Sequence, residues 1–373
     1  MVTGHGEEIV DSQLVGVSDP TKHATVCQNG IVRVWNFDAM HMNAVCEQTY
    51  SIRNSSGKVS AIGWTCDNKY LIVGTTTNKL LIYLIQPFKL IKALFIPNET
   101  SSNHAKKPSI ILKQAPQKSE LPIIKVICSS FNGKLCAIGY GRKGYILDLR
   151  KGKRQFSLWD LDAIQMRDHI SHMYMSKDNL WLCVISEKYE TQYFNMAMSE
   201  NILKPATALP PWTIEWWPKL PLTNWSLQGL YQEGWKEDEL NDGDCLIDRS
   251  LAASGDKFGI VRLHTYPTLT KQPLFCALHH STPVTSLFFL KDEHHLVTVN
   301  GNDKSIFCWK IEAPALELLH FFVFNKILNS NLLHFLLLLF CSSTKSFQLS
   351  YKMIVPITYL INFCQKIYWL LNN

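Results

Sequence analysis

The chain repeats itself, and the repeat constrains the fold more than any other feature. A unit that recurs at a fixed pitch cannot bury its apolar face without a neighbouring copy. One unit runs GHGEEIVDSQLVGVSDPTKHATVCQNGIVRVW, from the Gly4, His5 pair to Trp35; another runs HHSTPVTSLFFLKDEHHLVTVNGNDKSIFCW, from His279 and His280 to Trp309. His5 and Trp35 are 30 positions apart, and His280 and Trp309 are 29 apart. Each unit holds a short apolar strand, a polar turn (SDPTK, KDEHH), a second apolar strand, a tight turn (QNG, GND) and an alternating strand that ends in Trp. Alternation in IVRVW and SIFCW is the mark of a half-buried strand, with every second side chain on the packed face. Asn29 with Gly30, and Gly301 with Asn302 and Asp303, supply residues that tolerate positive φ and so tie the second and third strands into a hairpin.

Four weaker copies lie between these two. They run VSAIGWTCDNKYLIVGTTTNKLLIYLI (59–85), IIKVICSSFNGKLCAIGYGRKGYILDL (123–149), ISHMYMSKDNLWLCVISEKYETQYFN (170–195) and CLIDRSLAASGDKFGIVRLHTY (245–266). Tyr83 takes the Trp slot in the first, and Phe194 stands near the end of the third. Six units at this pitch resemble the blades of a WD40-type β-propeller. The expected fold is all-β, with about six to seven four-stranded blades over residues 1–312. The resemblance implies a structural role for five residues. In WD40 blades a His, an Asp in the hairpin turn and the Trp form a buried hydrogen-bonded cluster. His280, Asp303 and Trp309 stand at those places in the last unit, and His5 and Trp35 in the first, where Asn29 replaces the Asp.

A narrower resemblance follows from three segments in fixed order. The start, TGHGEEIVDSQLVGVSDPTKHATVCQNGIVRVW, is similar to a blade of the second propeller of echinoderm microtubule-associated protein-like (EMAP-like) proteins. PWTIEWWPKL (211–220) resembles that family's Trp-Thr and Trp-Pro segment through Trp212, Thr213, Trp217 and Pro218. ASGDKFGIVRLHTYP (253–267) resembles its penultimate blade, with Asp256, Phe258 and Gly259 in the turn and Lys257 interposed. The chain thus looks like the C-terminal WD40 propeller of such a protein. The HELP motif, first propeller and coiled coil of the family do not appear in it. The resemblance implies a non-catalytic scaffold of the cytoplasm and cytoskeleton, with tubulin, microtubules or other cytoskeletal proteins as partners.

Composition narrows the alternatives. The net charge is +6, but residues 313–373 carry four Lys against one Glu, so the first 312 residues hold 33 basic and 30 acidic side chains. A nucleic-acid binder concentrates far more positive charge on one face, and none is expected here. The eleven Cys are scattered without a CxxC pair, which argues for reduced thiols over disulfides or zinc. The amino terminus lacks the basic and apolar regions of a signal peptide. No nucleophile–base pair, phosphate loop or metal motif is present, and Asp256, Phe258 and Gly259 lack every companion of a kinase motif. No cofactor is expected.

Two loops carry most of the remaining charge. HAKKPSIILKQAPQKSE (104–120) is basic and broken by Pro108 and Pro116, so it reads as an exposed, solvated loop between blades, in which Lys106, Lys107, Lys113 and Lys118 are the candidate contacts for an acidic partner such as a tubulin tail. EGWKEDELNDGD (233–244) is acidic and reads as a solvated loop. The tail is different material: residues 313–373 contain neither Gly nor Asp, on which blade turns depend. Three readings stay open for it: a membrane anchor for a tethered WD40 adaptor unrelated to microtubules, translated non-coding sequence, or an amphipathic partner-binding tail. Its two apolar stretches, 332–341 and 353–371, are respectively too short and too polar to span a bilayer comfortably. Residues 1–4 look too few to supply an outer strand for the last blade. The tail is then the nearest cover for the seam, and residues 1–312 alone are expected to be poorly soluble or oligomeric.

Overall fold

A computed structural model describes residues 2–311 apart from 4, 17–20, 39–42, 53–56, 97–121, 151–155, 197–205, 207–212, 232–239, 247, 249, 270, 279 and 291–293, together with 347–349 and 353–355. Among these residues six four-stranded antiparallel sheets follow one another along the chain. Blade 1 is β2 (Ile9–Leu14), β3 (Lys22–Cys27), β4 (Ile31–Asp38) and β5 (Asn43–Ser51). Blade 2 is β6 (Val59–Trp64), β7 (Tyr70–Thr75), β8 (Lys79–Leu84) and β9 (Lys89–Phe95), and blade 3 is β10 (Ile124–Ser129), β11 (Leu135–Tyr140), β12 (Lys143–Asp148) and β13 (Ser157–Gln165). Blade 4 is built on β14 (Ile170–Ser176), β15 (Trp181–Ser186) and β16 (Thr191–Asn195). Blade 5 is β18 (Leu240–Leu246), β19 (Leu251–Asp256), β20 (Ile260–Thr265) and β21 (Phe275–Leu278), and blade 6 is β22 (Val284–Phe289), β23 (His295–Asn300) and β24 (Ser305–Lys310). The fold is a six-bladed β-propeller.

The core lies between blades. Apolar clusters join blade 1 to 2 (Val26, Val34, Ile62, Val73), 2 to 3 (Ile72, Ile82, Ile127, Ile138) and so on around to the cluster that joins blade 6 back to blade 1 (Val297, Val299, Ile9, Trp35). Second strands are pressed from both sides, so β7, β19 and β23 are buried at every position. Inner strands converge on the axis, where space is tightest. A Cβ on Gly63 of β6 would stand 2.3 Å from Cγ2 of Ile127 on β10, so that position accepts no side chain. In all six inner strands the register with the second strand shifts after the first residue. Such a bulge bends the strand and increases its local twist.

Two places depart from the expected blade. Blade 6 takes its fourth strand from the amino terminus: β1 (Val2–Thr3) pairs with Ile306 and Ser305 of β24. This corrects the expectation that residues 1–4 are too few. Two residues suffice because the link to blade 1 is short and tied down: Lys304 Nζ donates to the Gly6 carbonyl (2.5 Å) and the Ile9 N–H to the Gly301 carbonyl (3.0 Å). The last sheet therefore reaches four strands without residues 313–373, and the reason for expecting 1–312 to be insoluble falls away. In blade 4 the fourth strand is β17 (Trp216–Trp217), which pairs with the inner strand β14 rather than with β16. On the β16 side the Ala206 N–H donates to the Tyr193 carbonyl (2.7 Å).

After β17 the chain runs as a strap, 218–231, that includes a 3-10 turn (Trp225–Leu230) capped by Asn224. Its Leu222, Leu227 and Leu230 are fully buried between Tyr174, Cys183 and Ile185 of blade 4 and Leu240 and Ala252 of blade 5. The strap thus fills the junction of blades 4 and 5 with side chains instead of a blade. The acidic stretch 233–244 is also corrected. Residues 232–239 lie outside the described residues, but Leu240–Leu246 is the inner strand of blade 5, with Asp242 buried. Of the tail, only a short hairpin of β25 (Phe347–Leu349) and β26 (Met353–Val355) is described. Among the described residues no helix is long and apolar enough to cross a membrane.

Candidate functional site

The blade residues singled out by the repeat meet through hydroxyls. His280 Nε2 lies 2.9 Å from Thr298 Oγ1, and Trp309 Nε1 donates to the same oxygen at 3.0 Å. His280 Nδ1 lies 3.2 Å from Asp303 Oδ2, so four side chains of blade 6 form one chain of contacts. Blade 1 repeats it without the acid: His5 Nε2 lies 2.7 Å from Thr25 Oγ1, and Trp35 Nε1 donates to Thr25 at 2.7 Å. Burial, with Arg33 nearby, pushes the His5 pKa down to about 4 and keeps the ring neutral. In blade 5, Ser254 Oγ and His264 Nε2, 3.2 Å apart, take the hydroxyl and Trp places. These groups bind strands to strands, while Nδ1 of His5 and Nδ1 of His264 are buried with no hydrogen-bond partner.

The inner strands surround a central channel with a cavity of about 1040 Å³, lined by several acidic and basic side chains. Its wall is formed by the inner strands, and outside the short pairing of β17 with β14 their axis-facing N–H groups need partners from beyond the ladder. Aspartates supply some of them. Asp11, on β2, accepts from the Ile62 N–H of blade 2 at 2.9 Å; Asp242 and Asp244, on β18, accept from the Leu287 and Phe289 N–H groups of blade 6 at 2.8 Å each. Other polar contacts link blades too: His172 Nε2 of blade 4 lies 3.0 Å from the Asn241 carbonyl of blade 5, and Gln13 Nε2 of blade 1 reaches past blade 2 to donate to the Ile127 carbonyl of blade 3 at 2.7 Å. Lys219, carried in by the strap, pairs with Asp242 at 2.7 Å and donates to the Leu287 carbonyl. Burial raises the Asp11 pKa to about 7 and the Asp244 pKa to about 6, against the pull of Lys219. His23 stacks on Phe288 (centroids 3.4 Å apart) and is held well below its usual pKa by burial, so it stays neutral.

The repeated blades have counterparts among known sequences. A family model described as "Echinoderm microtubule-associated protein second beta-propeller" matches residues 17–311. The chain belongs to this family. It is 24% identical over 313 residues to human echinoderm microtubule-associated protein-like 2, covering 83% of this chain and 43% of that protein. It is 28% identical over 143 residues to mouse echinoderm microtubule-associated protein-like 1, covering 38% of this chain and 17% of that one. With the frog (Xenopus laevis) echinoderm microtubule-associated protein-like 4 the figures are 24% over 190 residues, 50% of this chain and 20% of that one. The chain thus spans less than half the length of the curated relatives it matches.

The motif residues that carried the EMAP-like resemblance are dispersed. Trp217 and Pro218 line the channel just before Lys219, and the Trp217 ring meets Phe131 edge-on at 5.2 Å. Asp256 organises the turn between β19 and β20: its Oδ1 accepts from the Phe258 N–H (2.8 Å) and the Ile260 N–H (2.9 Å), and its Oδ2 from Arg262 (2.6 Å). Gly259, at φ +80°, has the His280 carbonyl oxygen 2.2 Å from where a Cβ would stand. Phe258 points outward, 52% exposed, with Lys257 over its ring. Trp212 lies outside the described residues, as do Lys106, Lys107, Lys113 and Lys118.

Sequence reading missed the hydroxyls and the channel. Thr298 and Thr25 stand 11 and 10 positions before their Trp, an offset that a search for His and Trp alone passes over. Asp11, Asp242 and Asp244 were legible only in retrospect, as acids two positions into an inner strand and beyond. Lys219 had a signal, its place beside the Trp-Pro pair, but no periodicity to show where it points. Among the described residues no group of three His, Cys, Asp or Glu side chains is placed to hold a metal ion.

Proposed function

We propose that this chain is a non-catalytic binding module of the cytoplasm and cytoskeleton, whose first partner is the microtubule. The observation that carries this reading is the family match over residues 17–311, with relatives whose names describe microtubule association. The use of polar groups points the same way. The His, Thr and Trp clusters fasten strands within their blades and the channel carboxylates join neighbouring blades, an arrangement suited to presenting surface rather than performing a reaction. On this reading residues 1–312 are the propeller that docks, and 313–373 is a separate appendage. Lys106, Lys107, Lys113 and Lys118 are the contacts for an acidic tubulin segment, an attraction that acts over the Debye length and weakens with salt.

The test is co-sedimentation of the full chain with taxol-stabilised microtubules across a salt series. The expected result is recovery in the pellet at low salt, release as salt rises, and weaker pelleting when the four lysines are changed to Glu. Recovery in the supernatant alone at low salt would overturn direct binding.

A further inference from the structure

Two exposed apolar side chains stand at one end of the junction between blades 4 and 5. Trp225, on the 3-10 turn of the strap, is 59% exposed, and Leu269, in the loop after β20, is 72% exposed. Their backbones are tied side by side: the Ser226 carbonyl accepts from the Thr268 N–H (2.7 Å) and from Thr268 Oγ1 (2.9 Å), and the Gly229 N–H donates to the Thr268 carbonyl (2.8 Å). Both side chains are thus held in place with their apolar faces in water. Tryptophan on an ordered element is among the residues most enriched at binding hot spots. The chain that leaves blade 6 starts beside this patch. Ile311, the last described residue of that blade, is buried in the cluster that holds Leu246, Leu263 and Leu274 of blade 5. Ile311 follows the third strand of blade 6 as Leu269 follows the third strand of blade 5, so both lie at the same end of the propeller. Phe258 and Leu278, also exposed, sit at the opposite end of blade 5: Phe258 precedes β20, and Leu278 pairs with Ile260 at its start.

We propose that Trp225 and Leu269 form a docking surface for residues 316–324 of the same chain, the first apolar run of the tail. This run, LELLHFFVF, is apolar except at Glu317 and His320, and it begins five residues after Ile311. Five extended residues span about 17 Å, more than the roughly 10 Å between packed sheets, so the link reaches from the seam of blades 5 and 6 across blade 5. Tethering favours this occupant over a free partner, because a short linker sets an effective concentration in the millimolar range. The docked run covers the strap where it wedges blades 4 and 5 apart, and it keeps Trp225 from other proteins until the tail is displaced. Tail docking and microtubule binding use different residues, so either can fail alone.

The test is photocross-linking within the full chain, with p-benzoylphenylalanine placed at position 225 and the joined peptides identified by mass spectrometry. Cross-links to residues 316–324 of the same molecule are expected. Limited chymotrypsin digestion reads the same contact from the side of the tail. Leu269→Asp should raise the rate of cleavage within 316–324 at least fivefold, while Phe258→Asp, at the opposite end of blade 5, leaves it unchanged. Cross-links to 332–341 or 353–371 instead, to a second copy, or to nothing would overturn the proposal. Equal cleavage of a folded Leu269→Asp chain and the unaltered one would do the same, as would a matching rise in Phe258→Asp. If the chain with the photoreactive group at 225 does not fold, the same group at 269 replaces it.

Discussion

Thr298 shows how much one small side chain can hold. Its hydroxyl is the common point of His280 and Trp309, deep in blade 6, so Thr298→Val strands two buried nitrogens while keeping the shape. A buried polar atom left without a partner costs about 1–3 kcal/mol, and the variant should lose at least that much stability in urea denaturation. A loss below about 0.5 kcal/mol would show that the cluster is not a fastener. The Lys219 and Asp242 pair allows a sharper comparison. Lys219→Met leaves Asp242 with the Leu287 and Gly243 N–H groups still donating to it. Asp242→Ala instead leaves a buried ammonium and an orphaned N–H, the kind of half-broken pair that costs about 3–5 kcal/mol. Asp242→Ala should therefore be the more destabilising of the two, and the reverse order would contradict the arrangement of the channel.

Among elements, the strap and the amino-terminal strand are the ones a blade pattern does not contain. Leu230 is fully buried between blades 4 and 5, and Leu230→Ala should cost about 2–5 kcal/mol, measured in the same denaturation. Deleting residues 1–4 should uncover the edge of β24 and shift the chain toward oligomers in size-exclusion chromatography, because open edges invite pairing. An unchanged elution volume would mean that β1 is dispensable. These same elements mark the limit of what could be read from sequence. Blades 1 and 6 were legible because the Asn29, Gly30 turn and the Gly301 to Asp303 turn announce hairpins between alternating strands. β18 was not, because LNDGDC looks like a loop; its acids face a channel that exists only once six blades close. The strap was not, because its apolar residues answer to two distant blades and follow no local period. β1 was not, because two residues carry no pattern at all.

For the whole molecule, titration joins the channel to stability. The folded pKa values of Asp11 and Asp244, about 7 and 6, exceed the unfolded carboxylate value near 4, so their contribution is complete below about pH 4 and is lost as pH rises through 6 to 7. His5 and His264, each lowered to about 4 by burial, act in the opposite sense: their contribution is complete above about pH 6.5 and is lost as pH falls toward 4. The two sets offset each other between about pH 4 and 6.5, and the carboxylates alone act from there to about pH 8. Between pH 6 and 8 the Tm of the unaltered chain should fall more than that of Asp11→Asn; parallel curves would show that Asp11 is not buried as described. All of this rests on a closed ring, in which inner-strand amides that have no ladder partner are held by carboxylates of the neighbouring blade. Native-state amide hydrogen exchange on the full chain tests that most directly. The Ile62, Leu287 and Phe289 amides should be protected as strongly as the ladder amides of β7 and β23, and Ile62 should lose protection in Asp11→Ala. Exchange of these three amides at the rate of an unstructured peptide would contradict the ring.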